Sequence, residues 1–576
     1  MRQIGKVALK VTNRSGFDKS HRNLFTTKVG TLVPTLVDEV LPNTTIHLKQ
    51  AISAKLPPLA ADTFMNVQLK TEAFFVPYRL LYHGWENWLM ETPLRTSSGH
   101  SYKLLCPKLR VKASNVGGPG SLADFLGIKN VASSAPNQTI DVNIFPWLAY
   151  ARCYDDWYRN SRIQAPLFVS AGNYPNSSAY DNYSSMSVAN LPFSDIADSI
   201  PEGGSQSNVF DGTKAVSTSP GYGLSGYFAD GSYITDLRQR NFGLDYFTSA
   251  QPTAQRGDAR GVKVALNASY DTVFNTDNDE ISVPKVAPGT SIEGNFTIAS
   301  LRAQNSLQIF CERNNYSYRA SDYYYINYGS RLRNGLAQRA VFLGQHTIDL
   351  YSKSVYQTTP YNDSDTPQQN NPFNSVGAQY SVASMSGSNT LVDTFTTDEP
   401  GILMVISSLV PKVTYNTGLR RYMQHFVEDG SQTDLANAIL QNVGNQPIFS
   451  YELNGFQADG LSKQVFGYSD RYAEWMDMYD EVHGLLKDNE SLQSFALQRS
   501  FNEVEPINEG FLSIPVEYLD QVMAVTQTAS GISYWAEAYF DYKVIQPLNE
   551  YSIPSLQDPA YEHGHTVVVN KNGGSL

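Results

Sequence analysis

Cysteine is nearly missing from this chain of 576 residues: Cys106, Cys153 and Cys311 are all it has. An odd, sparse set with no CxxC pair argues against a disulfide framework or a zinc site, and buried thiols are expected. Charge is scarce as well, at 17% of residues where about a quarter is usual. No apolar run reaches the ~20 residues of a membrane helix, and the N-terminal stretch lacks the apolar core of a signal peptide. The expectation is a soluble chain without membrane insertion, made in a reducing compartment. Phosphate-binding loops, dinucleotide fingerprints, HExxH and GxSxG are missing too. Gly223-Leu224-Ser225-Gly226 is one residue too short for a nucleophile elbow. His563 and His565 have no third ligand nearby. No catalytic residue, cofactor or metal is assigned, and an enzyme is not expected.

What the chain does have is aromatic surface: 36 Tyr and 27 Phe. Tyr buries a ring while keeping a polar tip, which suits large half-buried interfaces as well as cores. The net charge of −12 excludes a generally basic nucleic-acid binder. The distribution is uneven, however. Residues 1–28 carry Arg2, Lys6, Lys10, Arg14, Lys19, Arg22 and Lys28 against Asp18 alone, a net +6. This segment is expected to be a flexible basic arm, with a short helix as the alternative. Its seven cations are the candidate DNA contacts, and Phe17 and Phe25 add stacking surface; the bland reading is a solvated tail.

Along the chain, apolar segments broken by Pro, Asn and Asp predict strands joined by turns. Thr31 to Val40 contains Pro34, which removes a ladder donor and predicts an edge or bent strand. Ile46 to Ile52 and Tyr534 to Val544 alternate in the manner of half-buried strands, the latter paired with a strand at Met523 to Val525. Gly401 to Val413 lacks alternation, as a central strand does. Helices are expected at 144–163 and 299–312, with a short helix at Leu122 to Leu126 in a stretch of loop over 91–143, and a short helix or turn from Trp85 to Met90. Asp155 and Asp156 point about 100° apart on such a helix, so a solvated face is favoured over a metal site.

The expected division is a basic arm (1–28), core with the first helix (29–169), and a surface insertion (170–240). Core with the second helix (241–350), a polar loop insertion (351–393), core again (394–558) and a C-terminal tail (559–576) complete it. The Asn/Asp cluster at 361–365 lacks the Gly and Glu of a calcium loop. Strands at both ends of the chain must pair across long gaps, which is the pattern of a Greek-key or jelly-roll sandwich.

An ordered set of motifs identifies a family. It includes Phe17-Asp18-Lys19-Ser20-His21, Val37-Asp38-Glu39-Val40-Leu41-Pro42, Phe74-Phe75-Val76-Pro77-Tyr78-Arg79-Leu80 and Trp157-Tyr158-Arg159-Asn160. It continues through Asp245-Tyr246-Phe247-Thr248-Ser249-Ala250, Tyr415-Asn416-Thr417-Gly418-Leu419, Val465-Phe466-Gly467-Tyr468 and Tyr551-Ser552-Ile553-Pro554. The chain resembles the major capsid proteins of the Microviridae, single-stranded DNA phages, and their gokushovirus-like branch in particular. The resemblance implies an all-β core, an eight-stranded antiparallel jelly-roll β-sandwich with large loop insertions and a few helices. It also implies a sixty-copy T=1 shell around circular single-stranded DNA, contact with other virion proteins, a place in the virion, and synthesis in the bacterial cytoplasm. By position, residues 170–240 are the candidate threefold protrusion. Tyr174, Tyr180, Tyr183, Tyr222 and Tyr227 are candidates for contact with a host surface receptor. The alternative is a carbohydrate-binding or hydrolytic β-sandwich protein.

Overall fold

The computed structural model describes residues 4–8, 14–82, 85–90, 94–95, 101–102, 108–112, 119–128, 139–167, 209–211, 224–225, 236–253, 270–274, 280–284, 302, 305–306, 309, 320–330, 339–356, 379–424, 445–455, 464–524, 534–548 and 566–570. Ten strands build two antiparallel sheets. They are β1 (Ser15–Asp18), β2 (His21–Thr27), β3 (Val33–Val40), β4 (Thr45–Lys55), β5 (Val67–Pro77), β6 (Val341–Asp349), β7 (Tyr351–Tyr356), β8 (Gln379–Thr396), β9 (Gly401–Pro411) and β10 (Tyr534–Gln546). The four-stranded sheet runs β6-β5-β9-β3. The six-stranded sheet runs β7-β8-β4-β10-β1, and β2 joins β10 along the same edge as β1.

The two sheets enclose one core. Leu36 and Val40 of β3, Leu69 and Phe75 of β5 and Leu403 and Val405 of β9 meet Ile46 and Leu48 of β4, Met385 of β8 and Phe540 and Tyr542 of β10. Each such apolar side chain contributes roughly 1.5–3 kcal/mol on burial. A second core lies on the other side of the four-stranded sheet. There Phe74, Val76, Ile402, Met404 and Ile406 pack against α1 (Phe145–Cys153). The layers are therefore six-stranded sheet, core, four-stranded sheet, second core and helix. This order explains the sequence patterns. All of β9 is buried because both its faces are covered, whereas β4 and β10 alternate strictly because their sheet is covered on one side.

Pro34 sits where its chemistry allows, on edge strand β3. The register slips there, with Val405 opposite Leu36 and Ile406 opposite Pro34, so that Thr35 is the extra residue of a bulge. Short helices at Leu122–Phe125 and Trp85–Leu89 fall where the sequence puts them. Of the helix expected at 299–312, Arg302, Asn305, Ser306 and Ile309 are described and helical.

Several expectations need correction. Residues 15–27 are not an arm: β1 and β2 are rungs on β10, with Phe25 and Thr27 turned into the core. Ile4–Ala8 pairs antiparallel with Thr566–Asn570, so both chain ends are tied together as strands. Residues 351–393 do not form a loop insertion throughout. Their two ends are β7 and most of β8, and Ser384, Ser386 and Ser388 on the outward side of β8 give it a loop-like composition. Lys108–Lys112 and Thr139–Asn143 also form a strand pair inside the stretch expected as loop. Met523 makes one isolated bridge, to Leu59, and does not pair with β10.

Candidate assembly and binding surfaces

Helix α1 starts after Asn143, whose Oδ1 accepts from Phe145 N (3.0 Å), with Pro146 in its first turn. Its last turn widens into a π-turn over Tyr154–Tyr158. The extra residue rotates both acidic side chains inward. Asp155 and Asp156 are therefore buried, where a solvated face was expected. Each is neutralised by an arginine four positions away, Asp155 by Arg159 (2.6 Å) and Asp156 by Arg152 (2.9 Å). Each also accepts a backbone N–H from a distant segment, Asp155 from Leu167 (3.1 Å) and Asp156 from Ala340 (2.9 Å). The pair is a clamp for chain segments and not a metal site. The arginine spacing in Arg152-x-x-x-Asp156 and Asp155-x-x-x-Arg159 is the signal that points to it.

The same helix holds the other foot of the long insertion. Tyr150 donates from its hydroxyl to Leu32 O (2.8 Å) and accepts from Arg238 N (2.8 Å). Burial drives the Tyr150 phenol far above its ordinary value, so it stays protonated. Leu167, just before the insertion, and Arg238, near its end, thus bind the helix at positions five residues apart, about 7.5 Å along its axis. Tyr174, Tyr180, Tyr183, Tyr222 and Tyr227 lie outside the described residues.

A second buried network fastens this layer to the sandwich. Arg240 forks onto Glu72 of β5 (2.8 and 2.9 Å) and donates to Ser408 of β9 (3.0 Å). The Tyr158 hydroxyl also donates to Glu72, and the Arg240 guanidinium lies 5.1 Å from the Tyr158 ring centroid. Further along, Tyr246 donates to Glu452 (2.9 Å) and Tyr415 donates to Asp245 (2.9 Å) beneath a cluster of Phe247, Tyr415 and Tyr479 rings. Burial raises Glu452 above the usual carboxylate range, opposed by Arg421 alongside. Gly418 turns the chain here with φ of +111°, and a Cβ would lie 2.1 Å from Glu452 O.

Large apolar side chains remain in water on the same side. Leu244, Met476 and Met478 are 80%, 56% and 73% exposed, and Trp475 is 45% exposed. Leu244 and Met476 rim a cleft of about 680 Å³ that reaches down to Tyr158 and Arg240. Scattered exposed apolar residues are ordinary, but a contiguous set around a cleft is the mark of an interaction surface.

Of the cationic candidates, Arg2 and Lys10 lie outside the described residues, and Lys6 is on the Ile4–Ala8 strand opposite Val568. Arg14 donates to Thr45 Oγ1 (2.6 Å) and to Ile545 O (3.3 Å). Lys19 pairs with Asp38 (2.6 Å) and Arg22 with Glu537 (2.7 Å). Lys28 is exposed beyond the end of β2. The candidates are therefore dispersed over strands and turns, and two of them are already occupied by carboxylates. Cys153 is a buried thiol, as expected, and burial lifts it well above its usual value. Cys106, Cys311, the 361–365 cluster and the His563–His565 pair lie outside the described residues.

Among the described residues no group of three His, Cys, Asp or Glu side chains converges on a metal position. The buried ionisable groups brace segments against one another, and the exposed features are broad faces. This is the construction of a structural protein that works through its surfaces. A family model described as "Capsid protein (F protein)" matches residues 6–556, and the chain belongs to that capsid protein family. It is similar to capsid protein VP1 of Chlamydia phage 1, with 26% identity over 96% of this chain and 98% of the relative. VP1 of Bdellovibrio phage phiMH2K is 24% identical over 94% and 96%, and VP1 of Spiroplasma virus 4 is 22% identical over 94% and 95%. The resemblance to Microviridae capsid proteins read from the motifs is borne out over nearly the full length, and the chain is a phage structural protein, not an enzyme.

Proposed function

We propose that this chain is the major capsid protein of its phage, building a sixty-copy T=1 shell around a circular single-stranded DNA genome. The observation that carries the reading is the family match over residues 6–556, on a chain whose strands order themselves as β2-β10-β4-β8 and β3-β9-β5-β6. Those two orders support reading the sandwich as an eight-stranded jelly roll with two Greek keys, with β1 and β7 extending one of its sheets. Most of the remaining chain falls into two connections, between β5 and β6 and between β9 and β10. These supply the aromatic, low-charge surface through which copies meet. Particle formation decides the reading. Purified full-length chain, or virions, should give closed isometric particles by electron microscopy and size exclusion; a monomer under every ionic condition would overturn it.

The insertion at 170–240 is the part proposed for host attachment. Its support is a composition rich in Tyr, Asn, Asp and Ser, suited to stacking on and hydrogen-bonding to sugars, and its two feet on α1. Because the feet share one helix, replacing residues 170–235 with a short Gly/Ser linker should leave particles intact. Such phage should lose adsorption, and normal adsorption would end the proposal.

A further inference from the structure

The outer face of the six-stranded sheet is the broad face that the described elements leave bare, apart from the turn at 119–125 beside Lys55 and Trp535. Its side chains form rows across the strands. One row runs Tyr351, Ser384, Lys55, Trp535, Thr26, and two steps on lie Ser388, Ala51, Tyr539, Arg22. Tyr351, Trp535 and Tyr539 are 70%, 42% and 48% exposed. Between and around them sit Ser, Ala and Thr together with the exposed aliphatic side chains of Leu24, Val355, Val382 and Ile545. The face carries Arg14, Arg22, Lys49, Lys55, Lys353 and Lys543 against Asp18, Asp393, Glu537 and Asp541, a net +2 on a chain of −12. Glu537 is held by Arg22 (2.7 Å) and Asp541 by Lys543 (3.4 Å). Lys49, Lys55 and Lys353 have no carboxylate partner among the described residues. A cleft of about 650 Å³ opens over Lys55 and Trp535, closed on its far side by the Gly120 turn, Phe125 and Asp124, whose carboxylate accepts from Gly120 N (2.9 Å).

This face also lies opposite the layer that carries the insertion. The six-stranded sheet is at one end of the layer order, and α1, with Leu167 and Arg238 bound to it, is at the other. A shell with the insertion outside turns the bare sheet inward.

From these observations we infer that the outer face of the six-stranded sheet binds single-stranded DNA, with bases stacking on Trp535, Tyr539 and Tyr351 and phosphates meeting Lys49, Lys55 and Lys353. The inference rests on the genome-enclosing reading and moves the contact from an N-terminal arm to the sheet itself. Unstacked bases can reach aromatic rings that paired bases cannot, so single strands are preferred over duplex.

The test uses the full-length chain and fluorescence anisotropy of a labelled oligothymidylate across a salt series, beside a duplex of the same length. The triple variant Lys49→Ser/Lys55→Ser/Lys353→Ser should flatten the log–log salt slope by about 2, the effect of losing three phosphate contacts on a single strand. The triple Lys→Arg variant should keep the slope, which separates charge from misfolding. Trp535→Ala should weaken binding roughly tenfold or more. Particles built from the Lys→Ser variant should protect less DNA from nuclease. Unchanged slope, affinity and protected DNA in these variants would overturn the inference while leaving the capsid reading intact. So would particles that keep their DNA but lose a second virion polypeptide. Failure of the unsubstituted chain to form particles would instead strike the capsid reading.

Discussion

Replacing Arg240 with Met removes the centre of the network that ties the helical layer to the sandwich. The guanidinium makes two bonds to Glu72, at 2.8 and 2.9 Å, and a third to Ser408 at 3.0 Å. Met approximates the volume without the charge. Glu72 keeps the Tyr158 hydroxyl as a donor but loses its counter-ion in a buried site. Breaking a buried pair from one side costs roughly 3–5 kcal/mol. Lys70 bears on where in that range the value falls. Its ammonium is held below its ordinary value, first by burial and then by the charge of Arg240. Without Arg240 the charged form of Lys70 is favoured further, and its attraction to Glu72 offsets part of what was lost, which places Arg240→Met near the lower end. Glu72→Gln in the same chain removes the stranded charge and should restore at least half of the deficit. Guanidinium chloride unfolding followed by tryptophan fluorescence measures this, since Trp157 beside Tyr158 donates to Ala340 O (2.9 Å) and reports on the same layer. A single-variant cost below about 1 kcal/mol, or a double variant as unstable as the sum of the singles, would refute the account of this network as a buried charge pair.

Three further outcomes follow from local geometry. Gly418→Ala must place a side chain at φ of +111° and within 2.1 Å of Glu452 O; a loss of at least ~2 kcal/mol is expected, read as a lowered melting temperature or insoluble expression. Cys153 is buried with its thiol pushed up by desolvation, so peptide mapping after iodoacetamide at pH 8 should find it unlabelled until denaturant is added. Burial holds the His346 ring below its ordinary value of 6.5. The unfolded ring therefore takes its proton first, and stability is lost as pH falls from about 6.5 toward the folded value; His346→Gln should melt with a shallower decline over that window, and parallel curves would count against it.

Some of the fold could be read from residues because coverage writes itself into sequence. β4 and β10 alternate since water meets one of their faces, and β9 does not since neither face meets water. Pro34 excluded a central strand and stands on an edge. The same physics hid β8 and β2. A strand on a bare sheet needs apolar residues only inward, so β8 spends its outward positions on Ser384, Ser386 and Ser388, and β2 on Arg22, Leu24 and Thr26. Composition then reads as loop or arm, although Ala383 and Met385, or Phe25 and Thr27, still mark the inner side. Asp155 and Asp156 were misread for a different reason: a regular helix spreads adjacent residues about 100° apart, and the π-turn that brings both inside depends on contacts to Leu167 and Ala340 far along the chain.

The strands hardest to read are also the ones most free to carry function. Side chains of β9 are fixed on both faces by packing, so substitution there is answered by stability. Among the described residues, outward positions of β2, β4, β8 and β10 carry no core packing, only surface ion pairs such as Arg22–Glu537 and Lys543–Asp541. A neutral pattern of Ser and Lys would suffice to keep that face soluble, and Trp535 and Tyr539 do not serve that end. Exposed aromatic rings spaced four residues apart, about 13 Å along one strand, persist on a bare sheet at a cost in solubility. A stacking partner supplied by the assembled particle offsets that cost. Replacing both rings by Thr should therefore leave the isolated chain as stable as before, or more soluble, and the deficit should show only in particles, as DNA that nuclease can reach. A destabilised isolated chain would mean that the rings serve the fold, and the argument from exposure would fail.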